Sequence, residues 1–368
     1  MMRYNFMDEC ITNGYREDKA VSQPYRAGYL ACVEQYLAKL QEESVQKRAE
    51  FITPEKLMAD PEKYRRQYCS MLGKPLTEYD KYRDVPVVPV EDTYVGEDSL
   101  CSIRRLRLDV GEGMIVYGLL FLPKEEYKAK TDKNLFVLYQ HGGGGTPELS
   151  ASFYGVTNYS YAPRRIAARG ATVFSPQLLL WHAENFGDPF DRKRIDAALK
   201  QVGSSITALE VFCHMRCLDY FVTQPYCDPE HIGMAGLSYG GFYTLMTTAA
   251  DTRIRSAYAS CSFIDKLELN WYGLDRSERS WPDWTWNDSA NTFLDAEIAA
   301  LVSPRAICFD AGDRDELFGS ASAVREFERL KPYFAAQGAE DKIFLKTFDG
   351  VHETDKDDDC FEFLFRYL

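Results

Sequence analysis

No stretch of this chain approaches the roughly 18 consecutive apolar residues that a membrane-spanning helix needs, so a helical membrane protein is excluded. The opening residues, Met1-Met-Arg-Tyr-Asn-Phe-Met-Asp-Glu9, lack the charged start and apolar core of a signal peptide. Positive charge is also in short supply. Lys and Arg number 43 against 56 Asp and Glu, a net charge of −13, which argues against nucleic acid or an anionic membrane as partner. Cysteines number 10, but they are scattered without a C-x-x-C pair, so reduced and mostly buried thiols are expected rather than a disulfide framework. These absences fit a cytoplasmic enzyme. At 368 residues the chain is long enough for one large α/β domain with an extension.

The stretch that is present and carries chemistry is Ile232-Gly-Met-Ala-Gly-Leu-Ser-Tyr-Gly-Gly241. A short apolar strand runs into Gly236-Leu-Ser238-Tyr-Gly240, the G-x-S-x-G pattern of a nucleophile elbow, in which a strained turn from strand to helix presents a serine hydroxyl. Alone, five residues with three fixed positions are a weak signal. The context strengthens it: Asp228-Pro-Glu-His-Ile-Gly is a turn leading into the strand, and an alanine- and threonine-bearing helix is expected from about Gly241 to Ala250. The amides at the start of that helix favour developing negative charge.

Around this centre the chain alternates strand and helix. Leu30, Val33, Leu37 and Leu40 recur at helical spacing, which predicts a helix over 25–49 that buries one stripe. A second helix is punctuated by Asp60, Pro61 and Gly73, with Tyr64, Tyr68, Met71 and Leu72 as its buried face. Residues 84–91, with prolines three apart, read as an extended connector. Residues 1–95 are therefore expected as an N-terminal helical extension and 96–368 as the catalytic domain. A hairpin turns at Gly111-Glu-Gly113. Asn134 to Gln140 is a short strand that ends in His141-Gly-Gly-Gly-Gly145, a glycine cluster resembling an oxyanion loop; the alternative is a plain surface turn. The later alternation implies parallel βαβ units, hence a mostly parallel central sheet with helices on both faces. Cys213, His214 and Cys217 sit on one of these helices, but only the two cysteines share a face, and a packed helix is expected rather than a metal site. The acidic run Asp355-Lys-Asp-Asp-Asp359 reads as solvated and helix-capping.

A serine nucleophile needs a base, and there are only 5 histidines: His141, His182, His214, His231 and His352. In α/β-hydrolases the triad runs serine, acid, histidine along the chain. Only His352 follows Ser238, in the loop Phe348-Asp-Gly-Val-His352-Glu after an expected strand. The acid lies between them, and Asp315 is favoured in Phe309-Asp-Ala-Gly-Asp-Arg-Asp315-Glu, with Asp313 on the same turn as its rival. Asp310 is assigned to the strand itself.

On these motifs the chain resembles the α/β-hydrolase superfamily, and within it the dienelactone hydrolase and acetyl-xylan-esterase-like branch of bacterial serine hydrolases. The likeness runs from about Asp60 to the C-terminus. It includes the Arg65-Arg-Gln-Tyr-Cys-Ser-Met-Leu-Gly73 and Met215-Arg-Cys-Leu-Asp-Tyr-Phe221 helices and the paired Ala-Gly-Asp-Arg-Asp315 and Phe-Asp-Gly-Val-His352 loops. Dienelactone hydrolases proper place a cysteine where Ser238 stands, and secreted polysaccharide esterases commonly carry a signal peptide.

The expectation is a serine carboxylic ester hydrolase, acting on a small-molecule ester such as an acetyl or sugar ester. Ser238 is the nucleophile, His352 the base and Asp315 its partner, with the Tyr239 and Gly143 amides as oxyanion donors. No metal and no organic cofactor is required. A homo-oligomer is left open. Two other readings compete: a peptidase of the prolyl-oligopeptidase kind, whose N-terminal β-propeller some 95 mostly helical residues cannot build, and a non-catalytic binding protein on a hydrolase scaffold. Four of the 5 tryptophans fall in Asn270–Asn287, within an aromatic-rich insert at about 265–292. Such a long connection on the ligand side of the sheet is expected to cap the site. Gly142, Trp284 and Trp286 are then the expected substrate contacts, and anchoring of the insert is the alternative role for the indoles.

Overall fold

The computed structural model describes residues 18–128, 130–131, 133–179, 187, 190–271 and 281–368. The chain divides into two compact units, Met1–Glu50 and Phe51–Leu368. This differs from the boundary expected near residue 95, and the reason is packing. The helix Pro61–Leu72 buries Tyr64, Tyr68 and Leu72. The Tyr68 hydroxyl donates to the Met246 carbonyl at 3.0 Å, and Arg65 Nε donates to the Ala249 carbonyl at 3.0 Å. Its ends follow the sequence signals, with the Asp60 carboxylate accepting from the Lys63 amide at 3.0 Å and Gly73 closing it at φ 100°. Ahead of it, the helix Lys19–Phe51 spans 33 residues and runs through Pro24. Leu30, Val33 and Leu40 remain 47, 45 and 36% exposed, contrary to the expected buried stripe. Among the described residues this unit holds no second element to cover the helix.

The larger unit is built on a nine-stranded sheet. Its strands are β1 Val88–Glu97, β2 Cys101–Gly111, β3 Met114–Pro123, β4 Phe136–Gln140, β5 Thr172–Pro176, β6 Ile232–Leu237, β7 Ile254–Ser260, β8 Ala306–Gly312 and β9 Ile343–Phe348. The spatial order is β1-β2-β3-β5-β4-β6-β7-β8-β9. The first three strands run antiparallel up to β5, and the six from β5 to β9 are parallel. The stretch expected as a connector becomes β1 from Val88 onward. Pro89 is tolerated there because β1 is the outermost strand, where a missing amide breaks no ladder bond. The hairpin between β2 and β3 turns on Gly111, Glu112 and Gly113, all at positive φ.

Alternation along the inner strands builds two cores. Phe136 and Leu138 of β4 join one hydrophobic cluster with the helices Ile206–Phe221 and Tyr239–Ala250. Val137 and Tyr139 join the other, with the helices Ala162–Ala167 and Asp359–Arg366. Helices thus cover both faces, and β4 and β6 are buried along their whole length. Because β4 and β6 to β9 are parallel, the residues that follow them collect at one edge, where ligands bind in such sheets. The acidic run is less solvated than expected: Asp355 is buried and pairs with Lys346 at 2.7 Å, while Asp358 pairs with Arg165 at 2.7 Å. Among the described residues no helix is long and apolar enough to cross a membrane.

Candidate active site

Ser238 sits between the end of β6 and the helix Tyr239–Ala250, with φ 61° and ψ −121°. A non-glycine residue held there is strained by about 1–3 kcal/mol, and such strain persists only where the surroundings enforce it. Here the enforcement is steric. A Cβ on Gly240 would lie 1.9 Å from the Gln140 carbonyl oxygen, and one on Gly236 would lie 2.5 Å from the same oxygen. The end of β4 therefore crosses so close to the elbow that only glycine fits on either side of the serine. The Ser238 amide donates to the Ser260 carbonyl at 2.9 Å, and its own carbonyl accepts from Phe242 at 2.8 Å, starting the helix.

The glycine loop after β4 lies against this elbow. A Cβ on Gly142 would come within 3.1 Å of Ser238 Cβ. The Gly142 amide donates to the Tyr159 hydroxyl at 2.9 Å, so it is committed to the protein and does not serve as the expected substrate contact. Gly142 contributes closeness, and Gly143 is the next residue of the loop. His141 is fully buried, donates from Nδ1 to the Gly142 carbonyl at 3.0 Å, and is pushed down to about 4 by burial, which keeps it neutral. Beneath it, His214 bonds Gln140 Oε1 through Nε2 at 2.9 Å and Thr247 Oγ1 through Nδ1 at 3.0 Å. Burial depresses His214 to about 3 and raises the Cys213 thiol to about 12, so this helix supplies packing groups.

His352 follows β9, and its Nδ1 lies 2.7 Å from Asp315 Oδ2. The carboxylate can only accept, so Nδ1 carries the proton and Nε2 is left with its lone pair free of one. Asp315 Oδ1 accepts from the amides of Leu317 at 2.8 Å and Phe318 at 3.0 Å, and the side chain is wholly buried. Asp313 is exposed, and its described bond is from its amide to the Phe348 carbonyl at 2.9 Å. Asp310 lies inside β8 and accepts from the Tyr258 hydroxyl at 2.5 Å; burial lifts it to about 6.

The histidine loop is pinned from several sides. Asn158 Nδ2 donates to the His352 carbonyl at 3.1 Å, Ser160 Oγ to the Thr354 carbonyl at 2.9 Å, and Cys261 Sγ to the Glu353 carbonyl at 3.3 Å. The Phe318 ring packs edge-on against the imidazole, with centroids 5.2 Å apart. His352 Nε2 is buried and makes no hydrogen bond among the described residues. Cys261, Asp315 and His352 place ligand-type atoms within 4.8 Å of one another, but Nδ1 and Oδ2 are already bonded to each other there.

The aromatic insert is partly described: the helix Lys266–Trp271, the single turn Pro282–Trp284 and the helix Ser289–Thr292, with residues 272–280 outside the described set. Trp284 and Trp286 were expected to wall the substrate. Instead Trp284 is 1% exposed and stacks on Phe242 at 4.5 Å and on Phe318 at 5.6 Å; Trp286 is 8% exposed and stacks on Phe242 at 6.2 Å. The helix Tyr239–Ala250 supplies Phe242, so the indoles gain more by clamping the insert to that helix than by facing solvent. Arg192, Asp283, Tyr159 and Cys261 support the site without having been singled out in the sequence.

The prolyl oligopeptidase family model matches residues 214–344, from the helix before the elbow into β9. YtaP of Bacillus subtilis, assigned as a hydrolase, is 25% identical over 252 residues, covering 65% of this chain and 83% of the relative. Among solved structures, a Bacteroides fragilis protein assigned as an acetyl xylan esterase superposes with a TM-score of 0.61 at 13% identity, over 87% of this chain and 86% of that one. Acetyl xylan esterase 1 from Thermoanaerobacterium sp. gives 0.53 at 14% identity, over 83% and 98%. The chain has the α/β-hydrolase fold.

Proposed function

We propose that this chain is a serine hydrolase that cleaves carboxylic esters through an acyl-enzyme. The observation that carries the proposal is the 2.7 Å bond from His352 Nδ1 to a fully buried Asp315, which leaves Nε2 as a base at the sheet edge that also holds the strained Ser238. Ser238 Oγ attacks the ester carbonyl carbon while Nε2 takes the hydroxyl proton. Negative charge gathers on the carbonyl oxygen, against the amide of Tyr239 at the head of the nucleophile helix and the amide of Gly143 in the glycine loop. The tetrahedral intermediate collapses, and His352 gives its Nε2 proton to the departing alcohol. Water then enters, loses a proton to Nε2 and attacks the acyl carbon. Ser238 leaves with that proton, and the carboxylic acid is released.

Serine, histidine and aspartate account for every proton and electron pair in this cycle. Small acyl groups on sugars are the proposed substrates, because acetyl xylan esterases share the fold. A peptidase reading is favoured by the prolyl oligopeptidase match. Against it, the likeness to the acetyl xylan esterases runs over 87 and 83% of this chain, while the family match is confined to residues 214–344. Turnover of p-nitrophenyl acetate and of acetylated sugars, measured beside aminoacyl amides, separates the two. The ester reading requires hydrolysis of the esters that disappears in Ser238→Ala. Hydrolysis of the amides with inert esters overturns it.

A further inference from the structure

A buried charged cluster that the triad does not use lies directly behind the residue next to the nucleophile. Arg192 opens the helix Arg192–Gln201 and is 3% exposed. Its guanidinium donates to Glu210 Oε1 at 3.1 Å and Oε2 at 2.8 Å, to the Tyr243 hydroxyl at 2.5 Å, and through Nε to Asp283 Oδ2 at 3.0 Å. It also donates to the Leu179 carbonyl. Asp283, 1% exposed, belongs to the insert turn Pro282–Trp284, and its Oδ2 accepts from the Tyr239 hydroxyl at 2.8 Å as well. The Thr207 hydroxyl ties the Asp283 carbonyl to the helix Ile206–Phe221 at 3.3 Å. One guanidinium therefore joins that helix, the nucleophile helix, the insert and the chain after β5.

Such a cluster is a poor device for stability alone. Taking charges out of water costs several kcal/mol per ion, and well-packed apolar residues of similar size often hold a fold as well. What the ions add is direction. Tyr239 is gripped at its far end by Asp283 Oδ2, and its ring is flanked by Trp284 at 4.8 Å and by the Arg192 guanidinium at 5.4 Å. The backbone amide of this same residue is the proposed oxyanion donor, and an oxyanion donor is effective only within a few tenths of an ångström of its position.

Resting on the ester-hydrolase reading, we propose that Arg192 and Asp283 are positioning residues that hold Tyr239 by its hydroxyl so that its amide meets the oxyanion. The insert then takes part in catalysis through Asp283. A purely structural clamp would lower the melting temperature and leave the chemistry of the surviving fold unchanged. Displacing the amide slows acylation while substrate binding persists.

The test uses Tyr239→Phe, which deletes one hydroxyl and keeps the amide, together with Asp283→Asn and the double variant. Readouts are kcat and KM for p-nitrophenyl acetate, the rate of inactivation by a fluorophosphonate, and the melting temperature. The expected result is a loss of about tenfold or more in kcat and in inactivation rate, with KM within about threefold, since small misplacements in an active site act on the transition state. The double variant should be no slower than the slower single variant, because both changes break one linkage. A cooperatively melting Tyr239→Phe protein with unchanged kcat and inactivation rate overturns the proposal, and so do additive losses in the double variant. If Asp283→Asn does not fold, Tyr239→Phe decides alone. A wild-type protein that never reacts with the phosphonate refutes the hydrolase reading instead.

Discussion

Asp315→Asn should abolish most of the activity, and the bonds around the carboxylate say why. Asp315 Oδ1 accepts from two backbone amides, Leu317 at 2.8 Å and Phe318 at 3.0 Å, while Oδ2 faces His352 Nδ1 at 2.7 Å. An asparagine must keep its single oxygen toward the two amides, because turning it round would set its NH₂ against two donors. Its NH₂ then points at Nδ1 and donates to it, which forces the proton onto Nε2, and the base is lost. The same loss of tautomer in another triad enzyme costs about 10⁴ in kcat, equivalent to about 5 kcal/mol of transition-state stabilisation. Asp313→Asn, on the exposed side of the turn, should stay within about twofold, as surface changes do. The assay is kcat for p-nitrophenyl acetate, with melting temperatures to show that both variants fold. Retention of activity within about tenfold in Asp315→Asn, or a larger loss in Asp313→Asn, refutes the assignment of the acid.

Two further outcomes follow from burial. Trp284→Ala should cost about 3–5 kcal/mol of stability, because the indole is 1% exposed between Phe242 and Phe318. It should affect KM for acetyl and bulky esters alike, and a selective rise for the bulky ester would return Trp284 to the substrate wall. His214, held neutral with its folded value lowered to about 3, binds its proton more readily in the unfolded chain. Wild-type stability from this group is therefore complete above about pH 6.5 and is lost as the pH falls toward 3. His214→Gln removes that linkage. Between pH 6 and 4 the stability of the variant relative to wild type should rise by roughly 1.4 kcal/mol per pH unit as the pH falls, read from urea midpoints; a constant difference contradicts it.

How much of this was legible in the sequence depended on how local the physics was. The elbow could be read because its glycines are dictated by one close crossing, the Gln140 carbonyl against Gly236 and Gly240. The strands β6 to β9 could be read because they are short and apolar, and their order alone placed the Ser238, Asp315 and His352 loops at one edge. Asp313 and Asp315 could not be separated, since both sit on one turn and only the folded loop shows which carboxylate turns inward. Pro89 hid β1, because an outermost strand breaks the rule that proline interrupts strands. The four tryptophans drew attention to the insert for their ring faces, while its hydrogen-bonded link to the nucleophile helix is Asp283. That residue meets Arg192 across 91 positions of sequence, a pairing that periodicity cannot reveal.

The most direct measurement is the mass and position of the adduct formed with a fluorophosphonate. Nucleophilic catalysis by the elbow serine predicts one phosphonyl group per chain, mapped by peptide sequencing to the fragment containing Ser238, and no adduct in Ser238→Ala. An unlabelled wild-type chain, or a label that persists in Ser238→Ala on another residue, contradicts it.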